Sequence, residues 1–357
     1  MAYNHQMVTL ARESRGLTQT DLATQLGILQ GTLSKVESGD IAVTDDLAKR
    51  FSRSLKYPVT FFEQNDPVYP FGASTFYHRK QQSVPSGILR RIEARVNIYR
   101  FQIVRLLRAT DMDRRNRFKR IDVAEHRGKI EDIAGLVRAA WMRPSGPIPN
   151  VTRMIEDNGG IVVRFSFGTA KMFGLSEWIP PAPPLFFLND HPEITSDRDR
   201  FTLAHEAGHI LLHALPNPNM EQEANRFAAE LLMPSREIRS HISTPVKLYT
   251  LAKLKPYWKV SMGALLSRAR DLGTISENQF VYLRIQLQQK GYAHREPPEL
   301  DIPPEHPTLL DEIIKAHVHN LGYGYADLAR MLNVELPEFR SQYRLDDGFG
   351  GLRVVTA

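Results

Sequence analysis

Two histidines four residues apart, with a glutamate beside the first, are the residues in this chain best suited to chemistry: His205-Glu206-Ala207-Gly208-His209. On an α-helix, residues i and i+4 share a face, so both imidazoles can hold one metal ion while Glu206 leans beside it as a base. That is the apparatus of zinc-dependent hydrolysis, in which the metal acidifies water and a carboxylate takes the proton. Five residues recur by chance in a chain of 357. The elements around them must carry the reading.

The motif lies within Phe201–His213, an apolar run with helical period, and Ser196 with Asp199 three places on is the expected start signal. After the breaker Pro216-Asn217-Pro218-Asn219 a second periodic helix runs from Met220 towards Pro234, with Ala224, Phe227, Ala228, Leu231 and Leu232 on its apolar face. At about 100° per residue, Glu221 projects roughly 50° from the centre of that face and Glu223 roughly 110°. A carboxylate aimed at the core needs a partner, which makes Glu221 the expected third metal ligand. Glu223 is the alternative. His213 continues the series, but on an unbroken helix it is rotated about 40° from His209 and about 6 Å further along. It is expected to support a ligand or face the surface.

The chain has no cysteine, so any metal must be held by His, Asp or Glu, which suits a catalytic site rather than a zinc finger. Its length suggests two to four folding units. No apolar run approaches the roughly 20 residues of a membrane span, and the first residues lack a signal-peptide core. The expected location is the cytoplasm, with no membrane partner. The net charge of +6 is uneven: residues 75–145 carry 17 Lys/Arg against 7 Asp/Glu, whereas residues 1–66 carry 7 against 8. Such a basic segment suits nucleic acid, an acidic partner or a solvated helical face.

Four short helices are expected over residues 5–15, 16–27, 30–39 and 44–55, with Thr18 and Asp21 as a capping pair and Gly27 and Gly39 as stops. This is a helix-turn-helix layout. At Leu17–Ala23 and Leu33–Gly39 it resembles the XRE-type, phage-repressor-like DNA-binding domain, and the resemblance spans nearly all of residues 5–62. It implies that the third helix enters the major groove of a double-stranded operator, presenting Gln30, Thr32, Ser34 and Lys35, with Gln19 near a phosphate. Leu29 stands where the family usually has a capping Ser or Thr, and Gly31 weakens the reading helix.

Asp66–Gly72 reads as a linker. Beyond Pro85 a long helix carries Ile88, Ile92, Val96, Tyr99, Ile103 and Leu106 on one stripe, with Arg90, Arg91, Arg95, Arg100, Arg105 and Arg108 around it as a solvated face. The helix can also serve as a dimer seam or a DNA-backbone clamp, and a homodimer is expected. Another helix is expected over 120–140 and one from Pro149 to about Asn158. Strands are expected at Ile161–Phe165, Lys171–Glu177 and Pro184–Leu188. Residues 235–289 read as helical, 294–307 as a proline- and acid-rich linker, and 308–344 as a small docking domain with a short helix pair. The fold expected is multidomain and mainly α: an all-α helix-turn-helix domain (1–66), a basic helical linker (67–145), an α+β zincin-like domain with a small sheet and the HExxH helix (146–293), and a small helical C-terminal domain (294–357).

Ala204–His213, Glu221–Pro234 and Gly146–Asn150 together resemble the ImmA/IrrE family of metallopeptidases over about residues 146–290. The resemblance implies Zn²⁺ held by His205, His209 and Glu221, the last matching the glutamate three residues before Ala224 in Glu-x-x-Ala-Asn, with Glu206 as general base. It also implies regulated cleavage of a partner, commonly a repressor encoded nearby, that releases stress-response, mobile-element or phage genes. Fusion to a DNA reader suggests a transcriptional regulator that cleaves a partner, or itself, at the operator. The alternative is a transcription factor or antitoxin-like regulator whose zincin fold senses or docks a partner without proteolysis. A scaffold that binds no DNA is a weaker third reading.

Overall fold

The computed structural model describes residues 3–69, 84–108, 117–242 and 244–345. They fall into two compact units, one made of residues 3–69, 84–108 and 310–345, the other of residues 117–309. The linker expected at Asp66–Gly72 runs beyond the described residues at Pro70.

The first unit opens with α1 (His5–Ser14), α2 (Gln19–Leu26), α3 (Gln30–Ser38) and α4 (Asp45–Leu55), then a 3₁₀ turn at Val59–Glu63. Thr18 and Asp21 form a reciprocal capping box at the start of α2, satisfying donors that the first helical turn leaves orphaned. Gly27 (φ 62°) and Gly39 (φ 87°) end α2 and α3 in the left-handed region, where a side chain would be strained. Met7, Val8, Leu22, Leu33, Val36 and Phe51 form the core, and Ala94, Ile98 and Phe101 of α5 (Ser86–Leu107) complete it.

Burial on α5 spreads beyond the single expected stripe. Asn97, Arg100 and Gln102 are also buried. The solvated arginine face is present at Arg90 and Arg108, which are exposed, but not at Arg100. That guanidinium donates to the Pro67 carbonyl at 2.9 Å and to Asn97, so neighbouring polar groups replace water around it.

The second unit contains α6 (Ile130–Ala140), α7 (Val151–Asp157), β1 (Ile161–Phe165), β2 (Gly174–Glu177), β3 (Leu185–Asn189), α8 (Ser196–Leu212) and α9 (Met220–Leu232). It continues with α10 (Ser235–His241), α11 (Leu248–Trp258), α12 (Met262–Asp271) and α13 (Glu277–Gln289). The helix expected over 120–140 starts only at Ile130, because Arg127 (φ 54°) and Gly128 (φ 71°) adopt left-handed backbone that no α-helix passes through. The sheet is mixed, in the order β1-β3-β2: β1 runs parallel to β3 and β2 antiparallel to it. Every residue of β3 is buried, as a central strand with both faces covered requires.

Helix α8 begins at Ser196 itself, with Thr195 as the N-cap residue. The capping role expected of Ser196 and Asp199 is not the one they play. Asp199 takes the guanidinium of Arg164 from β1 at 2.8 Å, fixing the helix to the sheet. The stretch expected as a linker over 294–307 is held by its acids. Glu296 accepts from Lys255 Nζ at 2.6 Å and from the Met262 N–H at 2.8 Å. Glu305 accepts from the N–H groups of Val151 and Thr152 at 2.8 and 2.9 Å, where the start of α7 favours negative charge, and pairs with Arg200.

Helices α14 (Leu309–His319), α15 (Tyr325–Met331) and α16 (Leu336–Gln342) follow, three where a pair was expected. From Leu310 onward they group with the first unit. There Arg15 makes a bidentate pair with Glu338, both bonds 2.7 Å, and the Tyr343 hydroxyl donates to Gln102 at 2.8 Å. No helix among the described residues is long and apolar enough to cross a membrane.

Candidate functional site

In the second unit, α8 and α9 pack closely because small residues meet at their crossing. A Cβ placed on Gly208 would lie 3.1 Å from the Phe227 ring and 3.2 Å from Ala224 Cα, leaving no room for a larger residue without movement. This approach brings His205 and His209 of α8 to Glu221 of α9. The two Nε2 atoms are 3.0 Å apart, Glu221 Oε1 is 3.2 Å from His209 Nε2, and Oε2 is 3.6 Å from His205 Nε2. One ligand atom from each residue lies within 4.8 Å of the others.

The group suits a cation. His205 Nδ1 faces Asn225 Oδ1 at 3.0 Å, an acceptor, so that nitrogen carries the ring proton and Nε2 presents a lone pair. A bare imidazole nitrogen, a second imidazole and a carboxylate converge at these distances, and one cation between them would satisfy all three. Two nitrogens and an oxygen, without thiolate, form a donor set that zinc accepts.

Glu206 is 1% exposed and sits on the sheet side of α8. Its Oε2 accepts the Ser176 hydroxyl of β2 at 2.6 Å. Sequence reasoning did not identify Ser176, since a lone serine in a four-residue strand carries no signal of its own. Asn225 was also missed as a functional residue, although it is four residues after Glu221 on the same helix face. Glu223 is not part of the three-residue group; its Oε2 lies 2.9 Å from His213 Nε2. His213 is buried, and burial pushes its imidazole below the ordinary histidine value while the Glu223 carboxylate opposes that. A cavity of about 1500 Å³ touches the group at Glu221, with Asn225, Arg198, Phe201 and Arg226 also in its wall.

In the first unit, Gln30 and Lys35 of α3 are exposed, while Thr32, Ser34 and Gln19 are half-buried. Gln30 Nε2 donates to Gln19 Oε1 at 2.7 Å, and Gln19 Nε2 to Glu37 Oε2 at 2.9 Å. Glu37 is itself fixed by Arg12 at 2.6 Å. A buried ion pair thus orients two glutamines, Gln19 at the start of α2 and Gln30 at the start of α3. Leu29 precedes them without any side-chain capping bond.

Residues 156–270 match the family model of the IrrE N-terminal-like domain, a peptidase family, and residues 9–62 match a helix-turn-helix model. The chain joins a helix-turn-helix domain to an IrrE-like domain. The IrrE-like match contains α8, α9 and all three strands, hence the whole metal-compatible group, and the helix-turn-helix match contains α2 and α3. No curated protein matches the chain.

Proposed function

We propose that the chain is a DNA-binding transcriptional regulator whose IrrE-like domain is a zinc-dependent endopeptidase. The observation that carries this reading is the convergence of His205, His209 and Glu221 on one point beside a buried carboxylate, Glu206, that is held in place by Ser176. His205, His209 and Glu221 hold Zn²⁺, which when bound supplies Lewis acidity for attack on a peptide carbonyl. Glu206 takes the proton of the attacking water and returns it to the leaving amine, a role that needs a carboxylate of fixed orientation. Ser176 supplies that fixity. Strand β2 lies at an edge of the sheet beside α8, with all four of its residues buried, which keeps water away from the Ser176–Glu206 bond. The substrate is a regulatory protein, either a partner encoded nearby or the chain itself.

On the DNA side, Gln30 reads a base edge from the start of α3, and Lys35 meets phosphate. Binding to an operator in the chain's own promoter, measured at several salt concentrations, tests this. Lys35→Ala should weaken all sequences alike and lower the salt slope by about 1, and Gln30→Ala should relax sequence preference. An unchanged operator affinity in both variants would remove α3 as the reading helix.

Glu206→Gln tests the peptidase. Zinc content measured on the purified chain should match wild type, while cleavage of the co-expressed partner or of the chain itself disappears. Persistent cleavage in this variant would sink the mechanism. Repression that ignores Glu206→Gln but fails when His205 or His209 is replaced would instead identify the domain as a metal-sensing module.

A further inference from the structure

Helix α8 ends at Leu212, and His213 takes extended backbone (φ −119°, ψ 97°) while its N–H still bonds the His209 carbonyl at 3.1 Å. On a continued helix its ring would stand further along the axis. The turn in the chain swings the imidazole back, so that His213 Nδ1 lies 3.1 Å from His209 Nδ1. Arg120 donates to the His213 carbonyl and anchors that backbone. On its other side, His213 Nε2 lies 2.9 Å from Glu223 Oε2, which also accepts from Asn217 Nδ2 at 3.3 Å.

With Glu223 as a carboxylate and His213 as a neutral ring, the geometry of these contacts assigns every proton. An ionised carboxylate only accepts, so His213 Nε2 carries the hydrogen in the bond to Glu223. A neutral imidazole with its proton on Nε2 has a lone pair on Nδ1, so His209 must donate its own Nδ1 hydrogen to it. His209 Nε2 is thereby left as a lone pair aimed at His205 Nε2 and Glu221. We infer that Glu223 and His213 form a positioning relay that fixes the tautomer and ring orientation of His209, so that its Nε2 is ready to bind the metal.

This inference rests on the reading of His209 as a metal ligand. It gives Glu223 a role other than that of alternative ligand, and of the two places expected for His213, beside a ligand or at the surface, it takes the first. Outer partners of this kind generally alter metal affinity by about 10- to 100-fold when removed. The usual partner is a carboxylate or carbonyl bonded directly to the ligand, whereas here a second imidazole stands between them.

The test uses the full-length chain with ¹⁵N-labelled histidine and has two readouts. Long-range ¹H–¹⁵N spectra of chelator-treated protein report which His209 nitrogen carries the proton, and competition with a chelator gives the Zn²⁺ dissociation constant. Wild type should show His209 protonated on Nδ1. Glu223→Gln keeps an acceptor oxygen and should stay near wild type in both readouts, whereas Glu223→Met keeps the bulk without the acceptor. The latter should give a mixed His209 tautomer and weaken zinc about tenfold or more. Wild-type His209 protonated on Nε2, or a Glu223→Met variant with unchanged tautomer and affinity, overturns the relay. His209→Ala separates the two ideas: if it binds zinc as tightly as wild type, His209 is not a ligand and the metal reading fails first.

Discussion

Ser176 donates its hydroxyl to Glu206 Oε2 across 2.6 Å, from an edge strand to the middle of α8, and both residues are buried. This bond fixes which way the carboxylate faces. A hydrogen bond to a charged group contributes about 1.5–3 kcal/mol. Ser176→Ala should therefore lower the cleavage rate roughly tenfold or more while zinc content stays at the wild-type level. Rates on the identified substrate at saturating zinc check this, and an unchanged rate would mean that Glu206 is oriented by something else.

Gly208 lies where α8 and α9 touch, and a methyl group there meets the Ala224 backbone as well as the Phe227 ring. A ring can tilt, but a helix backbone moves only with its helix. Gly208→Ala should destabilise the domain by about 1–3 kcal/mol and, by separating Glu221 from the histidines, weaken zinc binding. Thermal unfolding and chelator competition measure the two effects. Loss of stability without loss of affinity would show that the helices part elsewhere than at the metal group.

Two buried carboxyl groups make stability depend on pH. Burial pushes Glu156 up to about 7 from 4.5, against the opposing bonds from the Thr308 and Leu309 N–H groups. Burial likewise pushes Asp199 up to about 6 from 3.8, with Arg164 opposing. A folded state that holds its protons more tightly than the unfolded chain loses stability as they leave. Between about pH 4.5 and 7 the Glu156 contribution should therefore fall as pH rises, and for Asp199 the window is about 3.8 to 6. Urea unfolding of Glu156→Gln across this range should give a flatter profile than wild type. An equal slope in both proteins would place the pH dependence in other groups.

Leu29 is 78% exposed and begins α3 without a side-chain capping bond, although its backbone is already extended as an N-cap residue's should be. Leu29→Ser supplies the missing acceptor at little cost in buried apolar area. It should stabilise the first unit by about 1 kcal/mol. A melting temperature equal to or below wild type would show that Leu29 packs against something in the full chain.

The sequence alone determined the local features. Thr18 with Asp21, the stops at Gly27 and Gly39, and the apolar faces of α8 and α9 follow from short-range rules, since each depends on residues within one or two helical turns. Helix phase was enough to aim Glu221 towards His205 and His209, because two adjacent helices joined by a short turn have few ways to meet. Tertiary structure decided what phase cannot express. Ser176 is 30 residues from Glu206, and only the antiparallel pairing of β2 with β3 sets it against α8. The partition of Glu223 to His213 needed the end of α8 at Leu212, a backbone event that a periodic reading extends straight through. The burial of Arg100 and the anchoring of Glu305 likewise depend on distant chain segments closing around them. A side chain's periodicity tells which way it leaves its helix, but the partner it finds there is set by packing.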